Sequence, residues 1–228
     1  MHVPAPRVEP SPRWIRVRAD GQWVADSRRA LLLAWYGPGL LPTYCIPAED
    51  VRTDLLPPLG DAAIQLSDLP APIDAANGMW TFTWDGRVQW FEEATEVVVH
   101  ARDTTKRVDV VPSERHVRVE VAGELVAETR RPHALFETTL PTRWYLPADD
   151  VRWDLLEPSD MVTRCPYKGT ARYWSVRASG PAGRDVAWMY ADPVPECPRI
   201  AGMVCFFNER VDLTIDGELQ ARPDTPWS

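Results

Sequence analysis

Lysine is the rarest charged residue in this sequence, and its two occurrences are the first candidates for chemistry. The chain has 25 lysine and arginine residues, of which only Lys106 and Lys168 are lysine. A lysine kept against such a preference for arginine indicates a need for a compact ammonium group or a tunable pKa. Lys168 stands in the run Cys-Pro-Tyr-Lys-Gly over residues 165–169. Its ammonium would bind an anionic oxygen or, if desolvated, act as a nucleophile. The alternative is a lysine in an exposed turn.

Cys165 precedes that lysine by three positions and is the second candidate. A nearby ammonium lowers the pKa of a thiol, which would make Cys165 a nucleophile or a redox-sensitive group. No base is visible beside it. A Cys-His dyad would need His133, a lone histidine in an Arg-Pro-His turn that is typical of a surface residue. A structural thiol is the alternative. The acids Asp149-Asp150 suggest general acid-base catalysis. Glu49-Asp50 stands at the matching place earlier in the chain, however, which favours a shared structural turn. The sequence leaves open whether the protein is an enzyme.

Aromatic residues offer walls for a ligand site around this lysine. The chain contains 11 tryptophans, and large rings either enclose a ligand or fill the core of a small domain. The sequence predicts one principal pocket, in the second half of the chain, for a small polar or anionic molecule. The predicted lining residues are Cys165, Tyr167, Lys168, Trp174, Trp188 and Arg210.

No metal or cofactor is predicted. The cysteines form no Cys-x-x-Cys pair and lack the spacing of a zinc finger or ribbon; they are Cys45, Cys165, Cys197 and Cys205. Free thiols in a reducing cytosol are the expected state. A metal held by the last three would need a fourth ligand from elsewhere.

Charge and hydropathy narrow the class of partner. A formal net charge of -8 and a pI near 5.1 give nucleic-acid phosphates little to attract. The longest apolar run, Ala30 to Tyr36, is too short to span a bilayer. We therefore expect a cytoplasmic protein with no nucleic-acid or membrane partner, and an oligomer is compatible with the sequence.

Two pairs of segments indicate an internal duplication. Residues 16–29 match residues 118–131 at seven of fourteen positions, and residues 46–56 match residues 146–156 at eight of eleven. Repeated segments of this kind predict repeated structural units. A third echo, Arg-Val-Asp at 107–109 and at 210–212, is interpreted as closing each unit.

These matches predict the domain organisation. Residues 14–111 form a first, reduced copy and residues 114–219 a second, complete copy. Residues 1–13, with four prolines, are predicted to be disordered, and residues 220–228 to form a C-terminal tail.

Strand signals dominate both copies. Val117, Val119 and Val121 alternate with other residues before a Gly-Glu turn, which is typical of a β-hairpin. The 23 prolines make long helices unfavourable, and the Pro-Ala-Asp-Asp run at 147–150 predicts a single helical turn. The predicted fold is mostly β, with two small antiparallel sheet or barrel-like domains in tandem and short helical turns only.

Several motifs of the second copy resemble the domain of unknown function 427 family. They are the Cys-Pro-Tyr-Lys-Gly run, Tyr173 to Val176, Trp188 to Pro193 and Glu209 to Asp212. The resemblance implies a small, mostly β bacterial domain without an established activity. The first copy is similar to a reduced form, because nothing between Leu56 and Trp80 matches the lysine run. A nucleotidyltransferase-like label is attached to the family in some usage, but no acidic metal-binding motif after a Gly-Ser turn is present.

Three functions are compatible with these patterns. The first is a binding module whose second copy holds a small polar or anionic molecule, with Lys168 and Arg210 supplying charge. The second is an enzyme of transferase or hydrolase type that acts through Lys168, Cys165 or both. The third is a scaffolding or interaction domain without a small ligand.

Overall fold

The computed structural model describes residues 4–37, 39–97, 99–177 and 179–225 of the chain. The chain divides between Thr104 and Thr105 into two compact units, called here the first unit and the second unit. No helix in the described part of the chain is long and apolar enough to cross a membrane.

The first unit consists of short strands and 3₁₀ turns. Its strands are β1 (Arg7–Pro10), β2 (Ile15–Ala19), β3 (Gln22–Ser27), β4 (Leu31–Ala34), β5 (Thr43–Cys45), β6 (Ala63–Gln65), β7 (Trp80–Phe82), β8 (Gln89–Glu92) and β9 (Thr95–Val97). Its 3₁₀ turns are Ala48–Asp50, Thr53–Leu55, Pro57–Ala62 and Asp74–Ala76. The strands pair in the orders β3-β2-β8-β9, β1-β4-β5 and β6-β7. Backbone hydrogen bonds between Ile46 and Trp80 connect the region after β5 to β7.

The second unit has longer strands and a wider sheet. Its strands are β10 (Val108–Pro112), β11 (Val117–Val121), β12 (Glu124–Thr129), β13 (His133–Glu137), β14 (Arg143–Leu146), β15 (Leu156–Cys165), β16 (Gly169–Val176), β17 (Ala187–Met189), β18 (Val204–Phe206), β19 (Asp212–Ile215) and β20 (Glu218–Leu219). Its 3₁₀ turns are Ala148–Asp150, Trp153–Leu155, Gly180–Gly183 and Pro198–Ile200. The strands form a seven-stranded sheet, β10-β13-β14-β18-β17-β16-β15, and a four-stranded sheet, β12-β11-β19-β20.

Alternation along the strands gives the seven-stranded sheet two different faces, because successive side chains point to opposite sides. One face shares a buried cluster with the four-stranded sheet; its members include Val117, Val119, Val121, Trp144, Val176, Val204 and Phe206. We call the opposite side the aromatic face; its buried residues include Leu135, Tyr145, Ala171, Tyr173, Trp188 and Cys205. The aromatic face is the surface on which the candidate site is built.

The predicted fold class is confirmed, with one correction. The strands of every sheet pair antiparallel, and the helical pieces are short 3₁₀ turns. The barrel-like alternative is wrong, because no sheet in the described part of the chain closes on itself. The seven-stranded sheet ends in β10 on one side and in β15 on the other, so it is an open sheet.

The predicted disorder of residues 1–13 is wrong at Arg7–Pro10, which forms β1 and pairs with β4. Val8 packs against a buried cluster that contains Leu33. Proline is tolerated there because β1 is an edge strand and Pro10 is its last residue. The first three residues lie outside the described residues.

The Arg-Val-Asp echo does not join equivalent strands. Residues 107–109 lead into β10 at the start of the second unit, where β10 pairs with β13 as β1 pairs with β4. Residues 210–212 lead into β19, which pairs with β11 as β8 pairs with β2. By strand pairing, Arg210 therefore corresponds to Arg87, which precedes β8. The first unit ends at Thr104, before the predicted boundary at Val111. A match of three residues is too short to identify an equivalent strand.

A long hairpin distinguishes the second unit. After the matching 3₁₀ turns, the first unit passes through Pro57–Ala62 directly into β6. At this point the second unit makes β15 and β16, which pair with each other as the outermost hairpin of the seven-stranded sheet. The Cys-Pro-Tyr-Lys-Gly run forms the turn of this hairpin, so the run and the hairpin are present or absent together.

Candidate functional site

The hairpin turn holds the lysine run in a defined conformation. Lys168 donates its backbone N–H to the Cys165 carbonyl over 3.3 Å, and Pro166 occupies the second turn position, where its fixed φ is favourable. The backbone of Val194 then donates to the Lys168 carbonyl over 3.1 Å. Two motifs that are distant in the sequence, the lysine run and the run ending at Pro193, thus meet at this turn.

Gly169 makes this close approach feasible. Its φ is +109°, and a Cβ there would lie 3.3 Å from both the Asp192 carbonyl oxygen and the Pro193 Cα. We expect Gly169→Ala to lower the free energy of unfolding by roughly 2 kcal/mol, because backbone strain and contact with a second backbone add together. Gly123→Ala is the matched control, since Gly123 has a φ of +83° and no neighbour within 4 Å of its Cβ position. Equal losses for the two variants in chemical denaturation would contradict this role of Gly169.

Both lysines of the chain bind one buried carboxylate. Lys168 Nζ lies 2.5 Å from Glu137 Oε2, and Lys106 Nζ lies 3.2 Å from Glu137 Oε1. The side chains are 12%, 18% and 5% exposed for Lys168, Lys106 and Glu137, respectively. Lys168 is therefore a partly buried, ion-paired lysine, which excludes its assignment to a freely exposed turn.

The charges of this cluster stabilise one another. Burial by itself would raise the pKa of Glu137, but the ammonium groups of Lys168 and Lys106 lower it below the usual carboxyl value. Burial would likewise lower the pKa of Lys168, but electrostatic interactions with Cys165 and with the Glu137 carboxylate raise it above the ordinary lysine value. Lys168 is thus an ammonium at neutral pH, a state that binds anions and is not nucleophilic.

Three further side chains lie near the Lys168–Glu137 pair. Cys165 and Cys197 both interact electrostatically with Lys168. Tyr190, 5% exposed, interacts with both Cys165 and Glu137. Its hydroxyl forms no side-chain hydrogen bond with another described residue. Lys106 Nζ lies 5.8 Å from the ring centroid of Tyr167.

The structure brings Cys165, Tyr167 and Lys168 together and places the other predicted residues elsewhere. Trp174 packs against Trp153, with ring centroids 5.4 Å apart, on the face opposite the aromatic face. Adjacent strand residues point to opposite sides, so Trp174 cannot share a surface with Tyr173. Arg210 donates to the backbone carbonyls of Pro181 and Arg184, over 3.3 and 2.6 Å, and so holds a loop.

Trp188 belongs to a second polar group on the aromatic face. Its indole N–H donates to the Tyr145 hydroxyl over 3.1 Å, and the guanidinium of Arg143 lies 5.7 Å from its ring centroid. Arg143 in turn donates twice to Glu209, each time over 2.7 Å, in a pair whose side chains are 8% and 0% exposed. This buried pair, like Glu137, was not predicted.

A period-two pattern is the signal that could have revealed Glu137. Leu135 and Glu137 lie two positions apart on β13, so an acid follows a core leucine on the same side of the strand. In the first unit the equivalent residue is Trp35, because Leu31 pairs with β5 as His133 pairs with β14. The acid and the hairpin lysine are therefore both missing from the first unit.

The acid pair of the Pro-Ala-acid-Asp turn has a structural role in both units. Asp150 accepts hydrogen bonds from Thr129 and Arg131, and Asp50 accepts them from Ser27 and Arg29. The second acid of each turn therefore makes equivalent contacts in the two units, which favours the interpretation as a shared turn over general acid-base catalysis.

A cavity lies away from these residues. It has a volume of about 560 Å³, and it is lined in the first unit by Gln65, Leu66, Ser67, Asp68, Asn77 and Gly78. None of the predicted site residues contributes to it. Within the described ranges, no group of three or more His, Cys, Asp or Glu side chains is placed to hold a metal ion.

Thiol exposure gives a direct check on Cys165. Cys45, Cys197 and Cys205 are buried, whereas Cys165 is partly exposed. Burial also raises the pKa of Cys45 and of Cys205 to about 12. We expect a thiol reagent at pH 8 to modify Cys165 first in the folded protein, because the reactive species is an accessible thiolate. Cys165→Ser should remove the fast phase, and a fast phase that persists would contradict this assignment. Fast labelling follows from exposure alone, so it does not by itself favour an enzyme.

Comparison with known proteins identifies the family. A family model described as Domain of unknown function (DUF427) matches residues 7–63 and 109–217. The unmatched stretch in between contains most of the region where the two units differ. Among curated proteins, none matches the chain.

Proposed function

Because the chain belongs to the family of the Domain of unknown function (DUF427), we propose its function from the site: a module that binds a small anionic molecule at Lys168 in the second unit. The observation that carries this proposal is the convergence of both lysines of the chain on the buried Glu137. A buried ion pair contributes little net stability relative to apolar residues, so its presence in a small domain favours a functional role.

The Lys168 ammonium has hydrogen-bond donors that a ligand could use. An ammonium has three donors, and Glu137 is the acceptor of a Lys168 side-chain hydrogen bond in the described part of the chain. The side chain is 12% exposed, and an anionic oxygen would approach the ammonium from this exposed part. The Tyr190 hydroxyl and the Cys165 thiol supply further polar contacts beside it.

Binding is favoured over catalysis by the charge state of Lys168. A nucleophilic lysine needs a lowered pKa, whereas the pKa of Lys168 is raised. An enzyme acting through Cys165 is the second candidate, and its partly exposed thiol near an ammonium is the observation that favours it.

Titration with inorganic phosphate and with acetate, followed by calorimetry, tests the proposal. We expect binding to wild type and a loss of at least about tenfold in affinity for Lys168→Met, since a charge-assisted hydrogen bond is removed. Arg210→Met is the matched control, because it removes a positive charge that holds a loop, and its affinity should be unchanged. Tyr190→Phe tests the same site without removing a charge, so it remains informative if Lys168→Met fails to fold. It should also weaken binding. Absence of binding, or equal binding to Lys168→Met, would refute the proposal.

We also propose that the two units arose by duplication. The sheets β3-β2-β8-β9 and β12-β11-β19-β20 have the same order of pairing. In each unit, the strand that precedes the leading hairpin is the edge strand of another sheet: β1 in the first unit and β10 in the second. An experimental structure tests this, since the two four-stranded sheets must then superpose strand for strand.

The expected cytoplasmic location, the absence of nucleic-acid partners and a bacterial source remain proposals. The acidic pI near 5.1 supports the absence of nucleic-acid partners.

A further inference from the structure

The free edge of the seven-stranded sheet carries a surface that the ligand site does not use. β15 ends the strand order of this sheet and, within the described part of the chain, pairs with β16 alone. A ten-residue edge strand presents backbone N–H and C=O groups to a second strand, although the Met161 N–H already donates to Ser159 Oγ over 3.0 Å. Met161 and Val162 on it are 39% and 48% exposed. An edge of this length and exposure is suited to pairing with another chain.

The register shows which backbone groups face outward. The Lys168 carbonyl accepts a hydrogen bond from Val194, so it points away from β15. The backbone groups of the next residue, Gly169, therefore point toward β15, where Gly169 is paired with Cys165. Because backbone groups alternate along an antiparallel strand, Cys165 faces β16 and Val162 and Arg164 face away from it. The register shift between Pro158 and Val162 also leaves residues 159–161 without partners in β16.

The charges along this edge are self-complementary. Asp160 and Arg164 lie two positions before and two positions after Val162, and both are exposed. Neither forms an ion pair with any described residue. Asp160 lies in the irregular segment 159–161. An antiparallel pairing about Val162 that extends the regular register of residues 162–165 through this segment places Asp160 of one chain opposite the partner's Arg164, and the twofold axis repeats this pair.

We propose that β15 pairs antiparallel with β15 of a second copy of this chain, in a twofold dimer centred on Val162. The dimer joins the two sheets into one continuous sheet and removes both β15 edges from solvent. Because the first unit has no counterpart of the β15–β16 hairpin, the first unit has no equivalent edge. The hairpin that ends in the Lys168 turn is then held by strands on both sides of β15.

Charge reversal on the full-length chain, followed by sedimentation equilibrium, tests the dimer. Wild type should sediment at twice the chain mass of 25.8 kDa. Arg164→Asp and Asp160→Arg should each raise the dimer dissociation constant at least about tenfold, because two attractive cross-strand pairs become repulsive. The double variant D160R/R164D restores opposite charges and should restore the dimer. Arg172→Asp on β16 is the control, since this exposed residue does not lie on the edge strand, and it should leave the dimer intact.

Three results would overturn the inference. The first is a monomeric wild type at the highest soluble concentration. The second is a dimer that survives both single reversals. The third is an open series of larger species, which would indicate head-to-tail pairing of β15 with the β10 edge.

Discussion

Replacement of Arg143 by methionine should lower the free energy of unfolding of the chain by about 3–5 kcal/mol, the largest effect we expect from a single substitution. Arg143 and Glu209 are a buried pair joined by two hydrogen bonds of 2.7 Å, with side chains 8% and 0% exposed. The variant leaves the Glu209 carboxylate buried with a hydrogen bond from Thr225 but without its cation. Denaturant unfolding followed by tryptophan fluorescence measures the loss.

Two further variants separate buried charge from packing. Arg143→Met combined with Glu209→Leu removes both charges, and it should recover most of the lost stability, because an apolar pair replaces an ion pair at little cost. Asp154→Asn breaks the Arg152–Asp154 pair, which has the same two-bond geometry but is 53% and 62% exposed. Because solvent screens an exposed ion pair, this surface control should leave the free energy of unfolding nearly unchanged. A similar cost for the buried and the exposed pair would contradict the prediction.

Lys168→Met should lower the free energy of unfolding by about 2 kcal/mol, a large effect for a lysine. From the sequence, a lysine in a pocket or an exposed turn predicts an unchanged melting temperature. The ion pair with the buried Glu137 reverses this expectation, because the carboxylate loses one of two cations. The value lies below that for Arg143 because Lys106 remains bound to Glu137. Lys106→Met should cost less than Lys168→Met, since its side chain is more exposed, and the opposite order would contradict the assignment.

The contribution of this cluster to the free energy of unfolding depends on pH in both the acidic and the alkaline range. The pKa of Glu137 is lowered on folding from its ordinary 4.5. Its contribution is therefore complete above pH 4.5 and is lost as the pH falls through the lower folded value. The pKa of Lys168 is raised from its ordinary 10.5, so its contribution is complete below pH 10.5 and is lost as the pH rises further. Lys168→Met should flatten both limbs of the stability profile, and an unchanged profile would argue against the pairing.

Local patterns predicted the elements well. The alternating Val117, Val119 and Val121 and the following turn became the β11–β12 hairpin, and the Pro-Ala-Asp-Asp run became the 3₁₀ turn at Ala148–Asp150. Both signals act over a few residues, so neighbours in sequence are enough to determine them. The repeated Arg-Val-Asp segment gave a wrong domain boundary, because a three-residue match carries no information on strand pairing.

The candidate site was predicted in part. The rarity of lysine and the position of the Cys-Pro-Tyr-Lys-Gly run pointed to Cys165, Tyr167 and Lys168, which the fold places together. Trp174 and Arg210 were grouped with them because of residue type, which does not encode the face of a strand or the partner of a guanidinium.

The sequence by itself determined the strand-rich class, the turns and the residues that are chemically unusual, because these depend on composition and on short-range periodicity. Only the tertiary structure decided which of them meet. Glu137 lies 31 positions from Lys168, and Glu209 lies 66 positions from Arg143. Such pairs depend on the order and register of strands in the seven-stranded sheet, and these are set by packing between distant parts of the chain.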